Sequence, residues 1–137
     1  MIEPMKSLVW KAPKTMELQE MPMPEPGDDE VLIEVKAVGI CGSEIEGYLG
    51  HNSLRVPPLV MGHEFSGIVR KLGRQVAENE AKHSGIQSAI QPGRKVTVNP
   101  LSSCGKCIRC QKGLVNLCNK RSIVGIHRPG AFAEYVV

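Results

Sequence analysis

Glu30-Val31-Leu32-Ile33-Glu34-Val35-Lys36-Ala37-Val38-Gly39-Ile40-Cys41-Gly42-Ser43 is the stretch on which the fold turns. Val31, Ile33, Val35 and Ala37 fall on one face, and Leu32, Glu34, Lys36 and Val38 on the other. That period of two predicts a half-buried β-strand from Glu30 to Val38. It runs straight into a cysteine beside a glycine. Cys41-Gly42-Ser43 then opens a short helical stretch toward Tyr48, with Ser43 or a neighbour as its cap. A strand that ends by presenting a thiol is the first sign of a metal or catalytic site.

The same strand grammar extends outward. Ser7–Trp10 and Thr15–Glu20 read as strands on the N-terminal side. Alternate prolines in Met21–Gly27 forbid a helix and predict an extended surface segment. On the C-terminal side, Val56–Leu59 is extended, and Phe65–Arg70, Arg94–Val98 and Ala131–Val137 read as strands. Pro92-Gly93 is a turn, and Val76–Gln91 is polar enough to be a loop or a short surface helix. Short strands punctuated by 14 glycines and 10 prolines predict a mostly β barrel with short helices.

The 137 residues suit one domain, and 42% hydrophobic with 23% charged residues is ordinary for a soluble protein. A net charge of +3 without a basic block, and only 4% aromatic residues, argue against a nucleic-acid or membrane partner. The N-terminus has no signal-peptide pattern and no apolar run is long enough to span a bilayer, so a cytoplasmic location is expected. No G-x-G-x-x-G follows a strand, so no dinucleotide-binding fold is expected within these residues. The strand pattern reaching Val137 points to continuation beyond it.

Of five cysteines, Cys104, Cys107, Cys110 and Cys118 form one cluster within residues 100–121. An odd count in a reducing compartment favours metal or catalytic use over disulfides. Two-residue spacings let neighbouring thiolates converge on one ion, and the longer excursion brings Cys118 back to close a tetrahedral shell. Gly105 and Gly113 permit the turns, and Lys106, Arg109 and Lys112 offset the thiolate charge. Structural zinc is the leading reading; redox thiols and an iron–sulfur cluster are the alternatives.

Cys41 stands apart from that cluster. Gly62-His63-Glu64 places two more metal-competent side chains beside a glycine at a strand boundary. A catalytic zinc needs about three protein ligands and an open position, and Cys41, His63 and Glu64 supply three candidates. A zinc-stabilised binding or scaffold module with no chemistry of its own is the alternative, but a scaffold needs no open metal site.

Cys41-Gly42-Ser43, Gly62-His63-Glu64-Phe65-Ser66-Gly67, the four-cysteine cluster and Gly130-Ala131-Phe132-Ala133-Glu134-Tyr135 occur in an order that resembles the zinc-dependent medium-chain alcohol and polyol dehydrogenases. The resemblance covers nearly the whole chain and is strongest to the sorbitol, threonine and galactitol-phosphate branch. It implies that residues 1–137 are a GroES-like β-barrel, the zinc-binding catalytic domain, with residues 100–121 as its structural zinc lobe. The Rossmann domain that binds NAD or NADP would lie outside this chain. It implies that Cys41 and His63 hold a catalytic zinc. Glu64 would be a third ligand, or sit just behind the ion and exchange with water. The zinc would act as a Lewis acid on the oxygen of a small alcohol or polyol. Ser43 matches the hydroxyl position that passes the alcohol proton toward solvent. The isolated chain is expected to be inactive, and the full-length enzyme is a plausible homo-oligomer through the cysteine lobe.

The sequence departs from the family pattern at Glu44, where Asp is usual, and at Glu46, where many members carry a relay histidine. Residues 76–91 are longer than the usual turn there. Tyr48 and His51 are read as loop residues near the pocket, His127-Arg128 as a solvated loop, and His83 receives no role.

The cluster spacing generates a direct test. In such lobes metal-binding energy is folding energy, so Cys107→Ser should lower both zinc affinity and melting temperature. A melting curve identical to that of the parent chain would count against structural zinc.

Overall fold

The computed structural model describes residues 4–82 and 90–137. Strand β1 (Pro4–Ala12) folds back on β2 (Thr15–Pro22) as an antiparallel hairpin in which Ala12 faces Thr15. Then come β3 (Val31–Val38), helix α1 (Gly42–Leu49), β4 (Leu59–Val60) and β5 (Phe65–Leu72). Helix α2 (Arg74–Lys82) and strands β6 (Lys95–Thr97) and β7 (Leu101–Ser102) follow. Helix α3 (Ile108–Gln111), a 3₁₀ turn at Val115–Leu117, β8 (Ser122–Ile123) and β9 (Tyr135–Val136) complete the chain. The sheets run in the orders β2-β1-β4, β6-β5-β3-β9 and β7-β8, with antiparallel neighbours throughout. The architecture is mostly β with a few short helices, as the strand grammar predicts. No described helix is long and apolar enough to cross a membrane.

The strand from Val31 to Val38 does not keep the alternation of its sequence. Val35 pairs with Gly67 and Ala37 with Ser66, so Lys36 is a surplus residue that bulges out of the ladder. One extra residue inverts the face that follows it. Ala37, expected beside Val31, Ile33 and Val35, is exposed, and Val38 packs instead on the cluster of Ile33, Phe65, Val124, Ala131 and Val136. A second cluster of Trp10, Leu59 and Met61 fills the space beneath the other sheet.

The expected strand over residues 131–137 is shorter, because its backbone is shared among three neighbours. Gly130, Ala131 and Phe132 donate to the carbonyls of Val60, Gly62 and Met61, at 2.7, 2.9 and 2.9 Å. Leu8 donates to Phe132 O, Glu134 to Lys6 O, and Val35 to Glu134 O. This segment therefore staples β1 and the end of β4 to β3 and joins the two larger sheets. Of the polar segment Val76–Gln91, the residues up to Lys82 belong to helix α2, which begins at Arg74. Residues 83–89, with His83, lie outside the described residues.

Two further expectations are corrected by packing. Arg128 is not a solvated loop cation: its Nη2 donates to Glu30 Oε1 at 2.6 Å and to the Val137 carbonyl at 2.8 Å. His127 is exposed, as a solvated loop residue is, and accepts the Ile123 N–H on Nδ1 at 3.1 Å. Tyr48 is the penultimate residue of α1 and fixes that helix to the β1–β2 turn. Its hydroxyl donates to Lys14 O at 3.0 Å, and its carbonyl accepts the Lys14 N–H at 2.7 Å.

The four-cysteine segment leaves and rejoins the barrel at one point. Val124 N–H donates to Pro100 O at 3.1 Å, and the β7–β8 pair closes the neck.

Gly62, Gly125 and Gly130 meet in a junction that sets the path into His63. Gly62 has φ 96°, which glycine alone adopts without steric cost. A Cβ at Gly130 would lie 2.4 Å from Gly62 O and 2.5 Å from Met61 O, both backbone atoms that cannot swing aside. Gly130→Ala should therefore destabilise the fold by about 1–3 kcal/mol, as overpacked cores do. Chemical denaturation measures this, and a loss under a few tenths of a kcal/mol would mean that the junction is not close-packed.

Candidate metal centres

The cysteine lobe is built from a helix start and a strap. Cys107 is the N-cap of α3, so its thiol lies beside the free N–H groups of the first turn. Those of Cys110 and Arg109 face its sulfur, and the Cys110 N–H first, then the Cys110 side chain, hold the Cys107 thiol down to about 6. The backbone N–H of Lys106 and then of Cys107 lowers the Cys104 thiol as well, whereas burial pushes Cys110 up to about 11. Arg109 does more than offset charge: its Nη1 donates to Leu117 O at 2.8 Å and Asn119 Oδ1 at 2.7 Å, drawing the return segment onto α3. That strap delivers Cys118, which is fully buried and accepts the N–H of Cys104 and of Lys120.

The sulfur–sulfur separations are 3.5 Å for Cys107–Cys110 and 4.0 Å for both Cys104–Cys110 and Cys107–Cys118. A tetrahedral ion with zinc–sulfur bonds of about 2.3 Å spans sulfur–sulfur edges of about 3.8 Å. The donor set therefore fits a four-thiolate zinc, and no position is left open for substrate.

The second centre lies where α1 meets the His63 turn. Cys41 is the N-cap of α1, two positions earlier than a Ser43 cap would start it. Cys41 N–H donates to Glu44 Oε2 at 3.0 Å, the bond that the N3 acid of a capping box makes, and Glu44 N–H donates to the Cys41 carbonyl at 2.9 Å. The other carboxylate oxygen, Oε1, lies 2.6 Å from His63 Nδ1 and 2.7 Å from Arg55 Nη2. A carboxylate only accepts, so His63 donates from Nδ1 and its Nε2 is the nitrogen left for a ligand. Glu44 is 2% exposed and Arg55 3% exposed, so this ion pair is shielded from water.

Ligand atoms of Cys41, Glu44 and His63 all lie within 4.8 Å of one another. Both oxygens of Glu44 are already engaged, which makes Glu44 the residue that orients Cys41 and His63. Cys41 and His63 are thus brought close together, with Glu44 between them. Among the described residues Glu64 belongs to neither metal-competent group. It is exposed, with its carboxylate over Gly39, whose N–H donates to Glu64 O at 2.7 Å. Ser43 is half-buried, and its carbonyl accepts Arg55 Nη1 at 2.8 Å. Glu46 and His51 form an exposed pair at 3.2 Å.

Glu44 and Arg55 were not singled out as site residues on sequence. Cys-x-x-Glu ahead of an apolar residue is a capping-box spacing, and that signal marks Glu44. Arg55 carries no local signal, because its partners are eleven and twelve residues away along the chain. Two grooves adjoin the centre. One, of about 560 Å³, is lined by His63, Glu64 and Thr97; the other, of about 470 Å³, is apolar and lined by Val38, Ile40, Ile45, Tyr48 and Phe132 beside Glu44.

Comparison with known proteins agrees with this geometry. Residues 27–137 match the alcohol dehydrogenase GroES-like domain. The starvation-sensing protein RspB of Escherichia coli K12 is 38% identical over 97% of this chain and 36% of its own length. The L-galactonate-5-dehydrogenase of the same strain is 35% identical over 96% of this chain and 36% of its own. A solved alcohol dehydrogenase from E. coli CFT073 in complex with NADH is 36% identical, with a TM-score of 0.81 over 97% of this chain and 35% of that one. The chain thus spans about a third of the length of the relatives it matches. With its capped Cys41, its His63 turn and its four-thiolate lobe, the chain belongs to the family of alcohol dehydrogenase GroES-like domains.

Proposed function

We propose that this chain is the zinc-binding catalytic domain of a dehydrogenase that oxidises a secondary alcohol or polyol, with NAD or NADP as the hydride acceptor supplied by a partner domain. The observation that carries this reading is the approach of Cys41 and His63, whose ligand atoms lie within 4.8 Å of each other, with His63 held through Nδ1 by Glu44 so that Nε2 is free. Cys41 Sγ and His63 Nε2 would hold the ion, and Glu64, whose carboxylate lies over Gly39, would become an exchangeable third donor only by swinging away from there. Zinc in such a site supplies Lewis-acid polarisation of a substrate oxygen. Ser43 Oγ takes the alcohol proton and passes it toward solvent, where the exposed Glu46–His51 pair lies close along the chain. The apolar groove beside Glu44 excludes water from the carbon skeleton of the substrate.

The cysteine lobe carries no chemistry in this scheme. Its four thiolates fasten the excursion between Pro100 and Val124, and the exposed Ile108, Val115 and Leu117 supply apolar surface for pairing of two subunits.

Metal analysis of the purified chain tests both sites together. Two zinc ions per chain are expected, falling to one in Cys41→Ser with the lobe still occupied. Retention of both ions in Cys41→Ser would remove Cys41 from the site. The chain without its cofactor domain should turn over no polyol, and NAD-dependent oxidation by residues 1–137 alone would overturn the division of labour proposed here.

A further inference from the structure

We propose that Arg55 is a positioning residue for this metal pocket, holding Ser43 and Glu44 together and, through Glu44, both Cys41 and His63. The inference rests on the zinc-site reading above and assigns its geometry to a side chain that touches neither metal ligand directly.

The contacts of Arg55 are specific. Its side chain has no exposed surface. Nη1 donates to Ser43 O at 2.8 Å, Nη2 donates to Glu44 Oε1 at 2.7 Å, and Nη2 also lies 3.5 Å from Ser43 Oγ. Two terminal nitrogens of one rigid fork thus fix consecutive residues of the first turn of α1. Because arginine can only donate, any contact with Ser43 Oγ uses a lone pair and leaves that hydroxyl free to donate elsewhere. Glu44 passes the constraint on, Oε2 to the Cys41 N–H and Oε1 to His63 Nδ1.

The fold makes room for this one side chain. A Cβ at Gly47, on the next turn of α1, would lie 2.6 Å from Arg55 Cδ and 3.1 Å from Nε. Glycine inside a helix is otherwise unfavourable relative to alanine, so at Gly47 it serves the passage of Arg55. A lysine at position 55 has one ammonium and no fork, so it cannot satisfy Ser43 O and Glu44 Oε1 in the same geometry.

The test is cobalt titration of the 137-residue chain with its cysteine lobe preloaded with zinc, read by the visible bands of cobalt bound to one thiolate and one imidazole. Arg55→Lys should weaken cobalt binding by about 10–100-fold, the range for residues that orient ligands, and shift those bands while lobe zinc is retained. Gly47→Ala, which removes no polar group, should act in the same direction by displacing Arg55. Unchanged cobalt affinity and bands in the folded variants, with or without a lower melting temperature, would assign Arg55 to stability alone and overturn the proposal. Failure of the parent chain to bind cobalt outside the lobe would instead bring down the zinc-site reading, and this inference with it.

Discussion

One carboxylate, that of Glu44, holds the pocket together. Burying an ionised carboxylate is expensive unless it is paired and hydrogen-bonded. Here Arg55 supplies the opposite charge, and the Cys41 N–H and His63 Nδ1 supply the remaining bonds. Each of these partners comes from a different part of the fold: the end of the β3 connection, the loop before β4, and the turn into β5. A buried charge with three demands leaves few arrangements in which all are met. That scarcity of alternatives turns a set of loops into a pocket of defined shape.

The barrel meets those demands by controlling where its chains cross. The staple at residues 130–134 binds to both larger sheets, so the approach to His63 is fixed from two sides. The three-glycine junction brings the backbone of the His63 turn against the returning chain at separations no side chain would allow. Helix α1 is anchored at its far end as well, where Tyr48 clamps the β1–β2 turn and Gly50 packs on Pro13. The end of α1 remote from Cys41 is thereby fastened to the β1–β2 hairpin, which leaves the Cys41 end to be set by Glu44 and Arg55.

What was legible in the sequence follows from the range of the interactions. The strand at Val31–Val38 and the four-cysteine lobe were readable because alternation and ligand spacing are local properties. Cys41 and His63 were readable because each sits at a glycine-marked strand boundary. The bulge at Lys36 was not, since it depends on how β5 pairs opposite it. The partial strand at Ala131–Glu134 keeps the alternation of a strand, but its hydrogen bonds are divided among neighbours that only the tertiary fold assembles. Glu44 stands out in the sequence only as a departure from the family pattern, while its burial between Arg55, His63 and the Cys41 N–H depends on the tertiary fold. Arg55 was invisible, because a buried arginine is recognised by its partners and they are distant along the chain.

The neck of the cysteine lobe has a wider consequence. The chain leaves the barrel at Pro100 and returns at Val124, and these two residues are joined by a backbone hydrogen bond. Everything between them is an excursion whose ends already touch, so replacing it with a tight turn asks nothing of the sheets on either side. Loop-closure entropy changes only slowly with the length of such an insert. The lobe is in this sense a cassette. Its removal would take away a surface while keeping the chain path on which Cys41 and His63 are set.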